Sequence, residues 1–323
     1  EDFYICNKIK DKTNDDLPLW DKRQELPYPL NSENNEGAGA ISPDGKTIYF
    51  AKCNSKDGFG SCDIYSSEKV GDKWSEPKNL GENVNSNAWD SQPTIASDNR
   101  TLFFVSNRSG GFGQSDIYFT YKQNDGSWSK AKNLGSTINT KGKEMSPFIH
   151  PSNTTLYFSS DYLTGMGKMD IFYSRIENGK LSKPINLGYP INTENDETSF
   201  TVAPSGKYAI YASNREDSYG KLDLYAFPLY EKARPTPVIC MKGKVIYDNN
   251  KKDNISLLEI KDLSSGKVIT STSSDRINDT YLMTLPIGKD YAMSVTCKGY
   301  LFYSENFSLS NDTNLNMIEK DIN

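Results

Sequence analysis

Short apolar and aromatic runs, bounded by Gly, Pro, Asn or Asp, recur along residues 1–230. Thr47-Ile48-Tyr49-Phe50 returns as Thr101-Leu102-Phe103-Phe104, Thr155-Leu156-Tyr157-Phe158 and Ala209-Ile210-Tyr211. A second mark, Asp63-Ile64-Tyr65, returns as Asp116-Ile117-Tyr118, Asp170-Ile171-Phe172 and Asp223-Leu224-Tyr225. Leu80-Gly81 returns as Leu134-Gly135 and Leu187-Gly188, and equivalent positions lie 53 or 54 residues apart throughout. Runs of this length, rich in aromatic and β-branched residues and punctuated by turn formers, predict strands. Marks held in register at one long period predict a repeat architecture.

Each repeat reads as four strands. The first ends in a turn such as Ser42-Pro43-Asp44-Gly45, where proline presets φ and Asp-Gly closes the reversal. The Ile-Tyr-Phe run is the second, and a Gly-rich loop leads to the third at Asp-Ile-Tyr. The fourth carries Trp74 or Trp128 ahead of Leu-Gly, with Leu181 in the third repeat. Four short strands per repeat predict a β-propeller blade. Asp2-Phe3-Tyr4 looks like a further third strand. Trp20 stands 11 residues before Asn31, the spacing of Trp74 to Asn85 and Trp128 to Asn139. The last repeat stops after Tyr225 without such a tail. An N-terminal strand that completes the last blade would close the ring and remove its open edges. Five blades are favoured, with four or six open alternatives. The chain begins as if inside a strand, which predicts a segment of a longer protein.

Residues 238–323 lose the period but keep the strand signals. Pro235 and Pro237 mark the junction, giving a propeller over 1–234 and a small β-sandwich over 235–323, fixed rather than freely jointed. The whole is expected to be all-β. Net charge is −5 with dispersed basic residues, so the basic stripe of a nucleic-acid binder is absent. No apolar run reaches the roughly 20 residues of a membrane-spanning helix. Of the five cysteines, Cys53 and Cys62 flank a Gly-rich turn, where they either form a disulfide or stay as thiols. Cys240 and Cys297 are a weaker pair.

Two constellations are candidate binding sites. Glu36, Asp90, Glu144 and Glu197 each stand five residues after a repeated asparagine (Asn31, Asn85, Asn139, Asn192). At the starts of the innermost strands they would ring one mouth of the central channel and hold a cation or a Lys/Arg-bearing peptide. The competing reading has each cap backbone amides or pair with an arginine such as Arg108 or Arg215. Phe59, Phe112, Met166 and Tyr219 occupy the tips of the loops between second and third strands. They are either exposed for recognition or tucked against neighbouring blades. Asp63, Asp116, Asp170 and Asp223, with Trp20, Trp74 and Trp128, are expected to be structural. His150, the only histidine, reads as a turn residue, and no metal or cofactor is expected. No nucleophile elbow or dinucleotide fingerprint in its proper context occurs, which predicts a chain that is not an enzyme.

The Ser-Pro-Asp-Gly-Lys turn before Ile-Tyr-Phe resembles the PD40 (WD40-like, TolB-type) propeller repeat. The longer pattern, Gly-Phe-Gly-x-x-Asp-Ile-Tyr and then Trp-x-x-Pro-x-x-Leu-Gly-x-x-Val-Asn, is similar to versions in OmpA-type outer-membrane-associated proteins of Bacteroidetes. In residues 238–323, the Gly243-Lys244-Val245 strand, the Asp262-to-Gly266 turn, Pro286-Ile287-Gly288 and Gly299-Tyr300 are similar to a carboxypeptidase regulatory-like (transthyretin-like) domain. The resemblance implies a periplasmic, outer-membrane-associated interaction scaffold. Its partners would be other envelope proteins, such as components of type IX secretion, or a peptide. Peptidoglycan would be contacted only through domains outside this chain. Alternatives are a module binding a glycan or peptidoglycan fragment, and a propeller-type hydrolase or lyase using paired carboxylates.

Overall fold

A computed structural model describes residues 2–14, 17–247, 255–311 and 317–323. Among these residues the protein is all-β, its one helical element being a 3-10 turn at Glu231–Ala233. Four antiparallel sheets follow one another along the chain. The first repeat runs through Asn35–Ile41, Thr47–Cys53, Cys62–Val70 and the short fourth-strand pieces Lys73–Trp74 and Lys78–Asn79. The second comprises Asp90–Ile95, Thr101–Ser106, Asp116–Tyr121 and Lys132–Asn133. The third comprises Glu144–Ile149, Thr155–Ser160, Asp170–Glu177, Lys180–Leu181 and Ile185–Asn186. The fourth has only Glu197–Val202, Tyr208–Ser213 and Asp223–Pro228.

The turns between first and second strands explain their recurring residues. Gly45, Asn99, Asn153 and Gly206 close them at φ of 72°, 56°, 57° and 72°, the left-handed region that glycine and asparagine tolerate best. The aromatic second strands are buried because consecutive sheets pack face to face. Tyr49 and Ile64 of the first repeat share a core with Leu102, Phe104 and Trp128 of the second. Phe103 and Ile117 do the same with Leu156, Phe158 and Phe172 of the third. Each tail aromatic thus reaches back: Trp128 meets Tyr49 edge-on with ring centroids 5.9 Å apart. Trp74 packs on the core that Phe3 and Leu30 share with Phe50. Trp20 is 49% exposed, so it does not play the same core role.

The N-terminal strand does not close the ring as expected. Tyr4–Ile5 pairs with Gln24–Glu25, forming a separate two-stranded sheet against the first repeat, and not with Asp223–Pro228. The cause is local: Asn31 holds Phe3 at both its N–H (2.7 Å) and its carbonyl (3.0 Å), fastening the strand to its own tail.

The described residues of the segment 238–323 form two further sheets around one core of Met241, Leu258, Ile260, Tyr281, Tyr291 and neighbours. In one, Val238–Lys244 lies between Thr280–Pro286 and, parallel to it, Met317–Glu319. The other orders Val268–Ser273, Leu257–Asp262, Asp290–Thr296 and Tyr303–Ser308. The edge strand Val268–Ser273 is tied to the turns of the repeat body. Thr270 Oγ1 donates to the Ser97 carbonyl at 2.7 Å, Asn99 Nδ2 to the Ser271 carbonyl at 3.0 Å, and Thr272 Oγ1 to Asp44 at 3.2 Å. Lys46 Nζ donates to the Ser273 carbonyl, and burial lowers the pKa of this amine. Thr270 is buried, so Thr270→Val leaves a desolvated carbonyl without its donor. Denaturant titration is expected to show a loss of about 1–3 kcal/mol.

Candidate functional site

The four carboxylates do sit at the starts of the innermost strands, but not as an open ring. Glu36, Asp90, Glu144 and Glu197 are all at most 1% exposed. Each accepts the backbone N–H and the hydroxyl of a Ser or Thr four residues earlier. For Asp90 these come from Ser86 at 2.6 and 2.7 Å, and for Glu144 from Thr140 at 2.8 and 2.6 Å. Thr193 serves Glu197 at 3.0 and 2.6 Å, and Ser32 serves Glu36. Their remaining partners differ. Arg108 pairs with Asp90 at 2.6 Å and Lys52 with Glu36 at 3.6 Å. Glu144 and Glu197 take only the hydroxyls of Ser160 (2.9 Å) and Ser213 (3.1 Å). Burial pushes the pKa of the Glu144 carboxyl above its ordinary value. Arg215 instead meets Tyr211 and Asp217. The expected cation- or peptide-binding mouth is therefore corrected to a set of closed loop staples, because buried, fully engaged oxygens have no face toward solvent.

The loop tips behave differently. Phe59, Phe112 and Met166 are 50%, 51% and 50% exposed, and Tyr219 is fully exposed. The repeated aspartates lie directly beneath them. Asp63 accepts the N–H groups of Phe59 (2.5 Å) and Gly60 (3.2 Å). Asp116 accepts those of Phe112 (2.6 Å) and Gly113 (3.1 Å), and Asp170 that of Met166 (2.7 Å). Asp223 accepts from Tyr219. Asn79 and Asn133 donate to Asp63 and Asp116 from the fourth strands. A Cβ at Gly113 would run into the carbonyls of Thr140 and Gly142 in the next repeat, so the loop lies flat on its neighbour. Gln114 N–H then donates to the Gly142 carbonyl at 2.8 Å. The tips at Phe59, Phe112 and Met166 thus project from backbone held both by the aspartate below and by the next repeat, while the Tyr219 loop is held by Asp223.

Cys53 and Cys62 are cross-strand partners joined in a disulfide at the base of the first of these loops. Cys240 and Cys297 are both free thiols. His150 is buried in its turn, between Ser152 and the Ala203 carbonyl. Among the described residues no group of three or more His, Cys, Asp or Glu is placed to hold a metal ion.

Sequence reasoning missed two features. The innermost strands surround a hub cavity of about 390 Å³. Around it Ala38, Gln92, Ser146 and Ser199 all adopt φ of 50–54°, at a bulge repeated in each strand. The signal was present, since each stands two residues after the repeated carboxylate. Gln92 Oε1 accepts the Ser146 N–H at 2.7 Å, coupling two repeats there. The second is a cleft of about 830 Å³ between the first repeat and the C-terminal sheets, lined by Lys46, Lys69, Lys242, Lys244, Asp275 and Asp321 among others. No sequence pattern joins positions so far apart in the chain.

No family model matches the chain, and no curated protein matches it. Among solved structures it is similar to a puromycin-hydrolyzing peptidase of Mycobacterium tuberculosis, at 11% identity and a TM-score of 0.41. That alignment covers 70% of this chain and 34% of the peptidase, so the chain spans about a third of its length. An α-L-arabinofuranosidase from Lactobacillus brevis aligns at 16% identity and a TM-score of 0.38, over 68% of this chain and 82% of that one. An exo-β-1,3-galactanase from Clostridium thermocellum aligns at 14% and 0.35, over 78% and 59%. The expectation of a chain that is not an enzyme is withdrawn: the solved structures named here are themselves enzymes, and none of them speaks for the absence of an activity. Likeness at this level transfers none of their activities to the chain.

Proposed function

We propose that the face carrying Phe59, Phe112, Met166 and Tyr219 is a recognition surface for a polypeptide of the cell envelope. The observation behind this reading is the pairing of half-exposed apolar tips with pinned loop backbone. Exposed apolar side chains on one face mark interaction sites. Backbone already ordered before binding lowers the entropic cost of association. The Cys53–Cys62 disulfide favours an oxidising compartment such as the periplasm. The PD40-like and carboxypeptidase regulatory-like sequence patterns support a five-bladed propeller and β-sandwich within an OmpA-type outer-membrane-associated protein, with a role such as type IX secretion.

The test is affinity capture from envelope extract, comparing the native chain with a variant carrying Phe59→Ser, Phe112→Ser, Met166→Ser and Tyr219→Ser. Because the tips are exposed, the two proteins should melt at similar temperatures. A specific protein recovered by the native chain should fall at least about tenfold with the variant, the effect of losing about 1.4 kcal/mol or more. Equal recovery would remove the face from the site. Retention of sacculus fragments in place of protein would favour glycan binding instead.

A further inference from the structure

The fourth repeat leaves uncovered what the chain covers everywhere else. At the residue that follows Asp2, Asp63, Asp116 and Asp170, a tail segment clamps the backbone in the same way four times. Asn85 Oδ1 accepts the Ile64 N–H (2.8 Å) while Asn85 Nδ2 and the Leu80 N–H reach the Ile64 carbonyl at 3.0 and 3.1 Å. Asn139 and Leu134 do this to Ile117, Asn192 and Leu187 to Ile171, and Asn31 and Leu26 to Phe3. The segments responsible are 24–31, 78–85, 132–139 and 185–192, three of them Asn-Leu-Gly-x-x-(Val/Ile)-Asn. Leu224 occupies the same register, opposite Ala212 as Ile64 is opposite Ala51. Yet among the described residues no tail lies on it. Ile64, Ile117 and Ile171 are 0% exposed, whereas Leu224 is 76% exposed, and neighbouring Leu222 is 53% exposed.

The chain's own flanking segments are committed elsewhere. Directly after this strand, Leu229 and Ala233 are buried against the third repeat. Tyr157 Oη donates to the Ala233 carbonyl (2.6 Å) and Arg175 to the Lys232 carbonyl (2.7 Å). The N-terminal sheet is held on the first repeat by Phe3, whose ring lies 5.5 Å from that of Phe50. We infer that the edge Asp223–Pro228 is a docking site for a strand of a partner polypeptide with the chain's own tail chemistry. That strand would pair with Tyr225 and place an asparagine amide on the N–H and carbonyl of Leu224. An unpaired edge next to exposed leucines is a template for such addition. The occupant is defined by the three internal examples that share one pattern: Asn-Leu-Gly, two free positions, a β-branched residue and Asn. This site lies at the side of the last repeat and does not depend on the loop-face reading.

The probe is a fluorescein-labelled peptide copying residues 76–87, titrated against the intact protein by anisotropy. Binding is expected in the micromolar range. An alanine in the peptide at the position of Asn85 should weaken it at least about tenfold. Leu224→Pro removes the N–H that the asparagine holds and should abolish binding. Leu224→Ser keeps that N–H, should retain binding, and guards against a folding artefact, with melting curves recorded for both variants. Amide exchange at 223–227 should slow when the peptide is present. No binding at about 1 mM peptide would overturn the proposal, as would binding indifferent to Leu224→Pro in a folded variant. A concentration-dependent dimer that Leu224→Pro dissociates and the peptide does not would assign the edge to self-association and overturn it equally.

Discussion

Replacing Asn139 by alanine is expected to cost about 3–5 kcal/mol, read as a lower denaturant midpoint with an unchanged slope. The side chain is 2% exposed and makes three hydrogen bonds: from the Ile117 N–H (2.8 Å), to the Ile117 carbonyl (2.9 Å) and to Asn133 Oδ1 (2.8 Å). Truncation strands the buried Ile117 N–H and takes one of two donors from the Ile117 carbonyl and from Asn133 Oδ1, which keep the N–H groups of Leu134 and Gly135, in a space that Ile117 and Ile138 line at 0% exposure. Asn139→Asp keeps the acceptor but replaces the amide nitrogen that donates both bonds by an oxygen facing two oxygens, so it should be no milder. Exposed substitutions such as Phe112→Ser should stay within about 0.5 kcal/mol. A shift under about 1 kcal/mol for Asn139→Ala would mean that water replaces the amide, and the clamp would not be what fastens the fourth strands.

The contrast between these two positions shows what a sequence discloses. Recurrence at 53 or 54 residues placed the strands, the turns and the loop tips, because a repeated unit writes its geometry into spacing. The structural reading of Asp63, Asp116 and Asp170 came from the same source, and their bonds to loop amides explain the recurrence. Recurrence does not say which way a side chain faces. Glu144 and Phe112 repeat equally well, yet one is sealed beneath Thr140 and the other stands in solvent. Deciding between them needs the path of the segment before the inner strand, where a Ser or Thr four residues back reaches the carboxylate. The ring closure failed for a related reason: the sequence shows that a strand exists, while its partner depends on which edge is nearer. Asn31, read only as a landmark, is the residue that decided it. The cleft beside Lys46 was invisible because its walls come from the first repeat and from residues 242–321.

The second large effect is a pH dependence carried by His150. Its ring is buried, and desolvation, with a smaller contribution from Arg175, lowers the pKa from an ordinary 6.5 to about 4 against the opposing bond to Ala203. Ser152 N–H donates to Nδ1 at 3.1 Å, so the neutral ring carries its proton on Nε2, facing the Ala203 carbonyl at 3.2 Å. In the unfolded chain the ring takes up a proton as pH falls through about 6.5, while the folded protein resists until about 4. The unfolded state therefore binds more protons across that window. Stability from this group is full above pH 6.5, falls by about 3 kcal/mol down to pH 4, and changes no further below. Denaturant midpoints at pH 7, 5.5 and 4 for the native chain and for His150→Gln isolate it from the carboxylates, which titrate in both proteins. The variant should start less stable at pH 7, having lost the fitted ring between Ser152 and Ala203, and should lose much less on acidification. Parallel profiles would show that the ring takes up its proton in the folded state near its ordinary pKa. The turn that joins the third repeat to Ala203 of the fourth would then open to water without unfolding.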